Sequence, residues 1–117
     1  MKEDQLQMAT ARYLDVRGLL WCHVANERKT SPARGGKLKK MGVKSGVPDC
    51  LIFEPRGPFV GLAIELKVGY NKVTDNQDRW IQSLRKRGWH CAIIYDLDDL
   101  ISLVDTYLEN GKSTLNI

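Results

Sequence analysis

The chain has 117 residues, enough for one compact domain with a real but modest core. Hydrophobic residues make up 43% and charged residues 27%, which argues against a disordered chain, and no apolar run approaches the roughly 20 residues of a membrane helix. A net charge of +4 is too mild to name a partner, and the N-terminus lacks the continuous apolar segment of a secretory leader, so a cytoplasmic protein is expected.

Residues 3–17 read as a helix, with Leu6, Ala9, Tyr13 and Val16 at the 3–4 spacing of one apolar face. Gly18 stands where a left-handed residue ends a helix. LLWCHVA, 19–25, is a short run rich in strand formers. Residues 26–46 hold Pro32, the Gly35-Gly36 pair, Gly42, Gly46 and seven positive residues (Arg28, Lys29, Arg34, Lys37, Lys39, Lys40, Lys44) with no acid beyond Glu27. This stretch is expected to be a long basic loop, with a helical turn near 37–41, that contacts phosphates.

CLIFE, 50–54, and FVGLAIELKV, 59–68, read as strands joined by a PRGP turn. TDNQDRWIQSLRKRG, 74–88, is a helix whose Thr74 and Gln77 form a capping box. WHCAIIY, 89–95, is a strand. Residues 97–110 form a last helix that buries Leu97, Leu100, Ile101, Val104 and Leu108, and the tail from Gly111 to residue 117 is expected to fray. Residues 1–117 thus make a single α/β domain in the order α-β-β-β-α-β-α, with parallel strands around the 74–88 helix. Cys22, Cys50 and Cys91 form no CxxC pair and lie in or beside apolar runs, so reduced buried thiols are expected.

The hairpin carries the chemistry. With its turn centred on Gly57, Asp49 and Glu65 are equidistant from the centre and would face each other. Two carboxylates that close repel, and a divalent cation turns the pair into a ligand set. Glu65 and Lys67 share one face of their strand, and the carbonyl of Leu66 lies between them. Oxygen ligands favour Mg²⁺ or Mn²⁺, and the set suits metal-assisted phosphodiester hydrolysis, with Lys67 steadying the anionic transition state or orienting a water. Glu54 would pair with Val60 beside the turn, exposed to solvent.

Gly46-Val47-Pro48-Asp49 followed by Glu65-Leu66-Lys67 resembles the PD-(D/E)XK nuclease signature. With the acidic first helix, HVAN at 23–26, the basic Gly-rich loop and the TDNQ helix start, nearly the whole chain resembles the VRR-NUC family. That family occurs at the end of a DNA interstrand-crosslink repair nuclease and as small stand-alone phage and bacterial proteins. The resemblance implies a restriction-endonuclease-like fold, a mixed four-stranded sheet flanked by helices. It implies Asp49, Glu65 and the Leu66 carbonyl as metal ligands, Glu3 completing the shell, Lys67 as the catalytic lysine and Gln77 as a glutamine near the site. Gln7, one turn from Glu3, would face the site too. The stand-alone members imply a homodimer acting on branched DNA such as four-way junctions, in a bacterial or phage-infected cell. Positions near Trp21 or Tyr107 are candidates for its interface.

Other readings are a general nicking or restriction-like nuclease, and a non-catalytic DNA-binding module; retention of Asp49, Glu65 and Lys67 together argues against the latter. An HNH-type nuclease is rejected, because His23 and His90 lie in apolar strands where a structural histidine is commoner.

Overall fold

The computed structural model describes residues 1–25 and 31–111. Its elements are α1 (Glu3–Val16), β1 (Trp21–His23), α2 (Pro32–Lys40), β2 (Cys50–Ile52), β3 (Gly61–Leu66), α3 (Asp75–Lys86), β4 (Trp89–Ile94) and α4 (Leu97–Asn110). The strands form one mixed sheet in the order β1-β2-β3-β4. The β1–β2 and β2–β3 pairs are antiparallel, and β3–β4 is parallel, as a strand–helix–strand crossover requires.

The two-residue period of β3 divides the molecule. Leu62, Ile64 and Leu66 point to the side of α1 and α4, where Leu6, Leu14, Leu100, Leu103, Val104 and Tyr107 complete the larger core. Ala63 points to the other side, where Ile81 of α3 and Cys91 of β4 pack. All six residues of β3 are buried, as expected of a central strand with helices on both faces. Glu65 and Lys67 fall on the α3 side by the same period.

Several expectations change. The buried line of α1 is Leu6, Thr10 and Leu14, while Val16 is 77% exposed. The strict i, i+4 line turns Glu3 and Gln7 toward the mouth of the hairpin. The basic segment is not a loop over its central part: Pro32–Lys40 is a helix. Its start follows the rules for a cap, with the Ser31 hydroxyl accepting from the Arg34 N–H and Pro32 in the first turn. Arg28 and Lys29 lie outside the described residues, as does the tail 112–117. Gly111 is ordered and buried as the left-handed cap of α4.

The hairpin register is the one expected, though its turn is not. Cys50 lies opposite Ile64, Leu51 opposite Ala63 and Ile52 opposite Leu62. The tight turn, however, pairs Arg56 with Phe59 and is centred between Gly57 and Pro58. The offset is absorbed by one more residue on the Phe53–Pro55 side than on the Val60–Gly61 side, a bulge next to a proline that cannot donate. Hydrophobic faces fixed the ladder, and the bulge accommodated the turn.

The bulge also overturns the pairing of Glu54 with Val60. Glu54 is half-buried; its Oε2 accepts from the Leu20 N–H at 2.9 Å, and its Oε1 lies 3.5 Å from the Arg56 guanidinium. Tyr107 is fully buried and donates to the Glu54 carbonyl at 2.8 Å, so it is a core residue rather than an interface position. Cys22 is exposed, against expectation, on the edge strand β1. Cys50 and Cys91 are buried, and burial pushes their thiols up to about 12 and about 11.

Candidate active site

β2 begins at Cys50, so Asp49 is the residue just before the ladder, one step beyond the Cys50–Ile64 pair and on the line of Glu65. Its side chain closes the end of the sheet: Asp49 Oδ2 accepts from the Leu66 N–H at 2.8 Å. In a strand a residue's N–H and C=O point to the same side. The Leu66 carbonyl therefore points past the start of β2 toward Asp49, where no strand residue takes it. The Lys67 N–H turns the other way, to the Ile94 carbonyl at 2.9 Å.

Glu65 is 3% and Lys67 8% exposed, so neither belongs to a solvated ion-pair cluster. Lys67 Nζ lies 3.7 Å from Glu65 Oε2, and the Gln77 amide donates to the same oxygen at 3.2 Å. Glu65 Oε1 is buried and has no donor among the described residues, while the Asp49 carboxylate lies within hydrogen-bonding range of the Glu65 side chain. Burial first, and the neighbouring Asp49 carboxylate next, push the Glu65 carboxyl up to about 8; Lys67 opposes them, and Glu3 adds a further negative charge. A bare carboxylate oxygen that deep is costly unless a proton or a cation shares it. A hard divalent cation fits the donor set of Asp49, Glu65 and the Leu66 carbonyl.

These groups open into a cavity of about 990 Å³ walled by three elements: Glu3 and Gln7 from α1, Arg34, Leu38 and Lys39 from α2, and Thr74, Asn76 and Gln77 from the start of α3. Glu3 thus stands in the same cavity as Asp49 and Glu65, but no three His, Cys, Asp or Glu side chains gather into a metal-holding group among the described residues. Gln7 lines the cavity and contacts the Cys50 thiol at 3.6 Å. Gln77 holds both anticipated positions at once. Its carbonyl accepts from the Thr74 N–H to complete the capping box, and its amide reaches Glu65.

Gly46 shows why the motif before Asp49 begins with glycine. Its φ is +88°, and a Cβ there would lie 2.9 Å from the backbone of Asn76. Beside it, Asn76 donates to the Ser45 hydroxyl. The Gly46–Asp49 segment is thereby seated on the first turn of α3, which brings Asp49 and Gln77 to the same carboxylate. Of the expected basic residues, Arg34, Lys39 and Lys44 line the cavity, while Lys37 and Lys40 are exposed on α2.

His23 was not anticipated here. It is exposed, lines the cavity, and its Nδ1 lies 2.8 Å from the Asp49 carbonyl. The HVAN segment was the available signal. His90 does follow the structural reading: it stacks with Tyr107, centroids 6.1 Å apart, and burial holds its pKa down.

A family model of the VRR-NUC domain matches residues 1–95, a span holding all four strands. A solved structure described as a VRR-NUC domain protein superposes with a TM-score of 0.74 at 28% identity, covering 98% of each chain. A second, described as a VRR-NUC domain, gives 0.61 at 22% identity over 90% of this chain and 96% of that one, a likeness in fold. No match was found among curated proteins.

Proposed function

The chain belongs to the VRR-NUC domain family, a family of nucleases, and on that premise we propose that it is a divalent-metal-dependent DNA endonuclease. The observation that carries this reading is the orphaned oxygen of Glu65, buried beside Asp49 and Lys67 at the foot of a cavity with a basic wall.

Asp49, Glu65 and the Leu66 carbonyl would hold Mg²⁺ or Mn²⁺, with Glu3 as the further acid on the α1 side. When bound, the cation supplies a water of lowered pKa and stabilises charge on the phosphate. The chain's own residues do the rest. The Leu66 N–H fixes one Asp49 oxygen, and the Gln77 amide fixes one Glu65 oxygen, so both carboxylates meet the substrate without reorganising. The Lys67 ammonium, held against Glu65, adds positive charge where negative charge develops on the attacked phosphate. Arg34, Lys39 and Lys44 draw the DNA backbone into the cavity, with Lys37, Lys40, Arg28 and Lys29 extending the basic segment.

The finer reading is a homodimer cutting branched DNA, four-way junctions among them. A two-fold symmetric dimer would present two sites to a symmetric junction. The test is cleavage of a four-way junction, a flap and a linear duplex at one salt concentration, with Mg²⁺ and with chelator. The expected result is metal-dependent cleavage that Glu65→Ala abolishes and Lys67→Ala reduces on the order of 10²–10³-fold. Unaltered cleavage in those variants would sink the assignment, and a preference for linear duplex would replace the junction reading with that of a general nicking nuclease.

A further inference from the structure

One flank of α3 carries a groove of about 380 Å³ lined by Asn76, Arg79, Trp80, Ser83, Leu84 and Arg87. These positions recur at three- and four-residue spacing and form one stripe of the helix. Asn76 also lines the active-site cavity, so the groove begins where the cavity ends. Its two charged residues are both arginines. The nearby acid Asp78 accepts from Gln82 and does not line the groove.

Trp80 is the unusual member. It is half-buried and belongs to neither apolar core, and no aromatic ring pairs with it among the described residues. Arg79 donates to the Asn76 side chain at 3.0 Å and Arg87 to the Ser83 carbonyl at 3.0 Å, which holds both along the groove. A guanidinium has five N–H donors, so each retains capacity for a phosphate. An indole ring between two such groups is a stacking platform with backbone contacts on either side.

We propose that this groove binds the DNA strand next to the scissile phosphate, with Trp80 stacked on an unpaired base and Arg79 and Arg87 on the flanking phosphates. The proposal rests on the nuclease reading and deepens it. Within branched DNA the groove favours a strand whose base leaves its stack at the branch point, because a base held in a duplex offers no free face to the indole.

The test uses the full chain in chelator, so that binding is read without cleavage. Fluorescence anisotropy compares a duplex bearing a single-stranded flap with the same duplex fully paired, at matched salt. Trp80→Ala should weaken flap binding on the order of ten-fold, the size of one lost stacking contact, and change duplex binding much less. Trp80→Phe should retain most flap affinity, which separates loss of stacking from loss of fold. Arg79→Ala with Arg87→Ala should lower the slope of log affinity against log salt by about two phosphate contacts. Equal flap affinity in Trp80→Ala and the parent overturns the proposal, as does an equal loss on flap and duplex. Unchanged flap affinity with a smaller sedimenting species would overturn it too, assigning the groove to a second copy. The nuclease reading is judged separately, by cleavage in Mg²⁺. Absent cleavage with Trp80-dependent flap binding defeats that reading alone.

Discussion

The β2–β3 hairpin carries an acid near each end, and the two are treated in opposite ways. Glu54, beside the turn, has both oxygens engaged, one by the Leu20 N–H and one by Arg56, and keeps 23% of its side chain in contact with solvent. Glu65, at the mouth, is almost fully buried, shares one oxygen between Gln77 and Lys67, and leaves the other without a donor. Glu54 stabilises the fold it sits in. Glu65 keeps an oxygen that no donor among the described residues satisfies, and on the proposed reading a cation would take it.

The sharpest way to break this contrast is Glu65→Gln. Cleavage should fall below detection, while the metal-free protein becomes more stable at pH 8 in thermal melts, because a buried charge has gone. Loss of activity with loss of stability would make Glu65 an ordinary structural acid. Lys67→Ala should follow, with cleavage reduced on the order of 10²–10³-fold, the usual cost of removing one charge-stabilising donor. Single-turnover rates in saturating Mg²⁺ would measure it.

The pH dependence comes next. The folded-state pKa of Glu65 lies at about 8, above its ordinary 4.5, so the folded chain holds a proton that the unfolded chain releases. Stability of the metal-free protein from this group is full below about 4.5 and is lost as pH rises through about 8. Denaturant melts in chelator at pH 5 and pH 8.5 should show the fall. Added Mg²⁺ should reverse it at the higher pH, and Glu65→Gln should show neither effect. The smallest change is expected at the other end of the hairpin. Glu54→Ala should cost about 1 kcal/mol, a few degrees in Tm, and leave the cleavage rate per folded molecule unchanged. A kinetic defect there would erase the distinction between the two acids.

The placement of Asp49, Glu65 and Lys67 in the candidate site was legible because it hangs on strand periodicity. Apolar residues on two-residue spacing set the register whatever the turn did, and the register aligns Asp49 with Glu65. What was misread lay where tertiary context outweighs local pattern. The Gly35-Gly36 pair suggested a loop, yet Ser31 and Pro32 start a helix that tolerates both glycines. The apolar run at 19–25 suggests a buried Cys22 and a structural His23, but β1 is an edge strand and both side chains are exposed. Nothing in the spacing of Asn76, Trp80 and Arg87 distinguished a groove from an ordinary helix flank.

Helix α2 spans nine residues, buries none of them and carries two glycines near its centre. A helix of that length and composition is marginal on its own in water. Its amide hydrogens therefore exchange with solvent through local opening long before those of β3, all of whose residues are buried. A polyanion lying across Arg34 and Lys39, which line the cavity, would damp that opening, and the entropy lost in doing so would offset part of the electrostatic attraction. On the proposed reading, the basic wall would then hold DNA less tightly than its charge alone suggests.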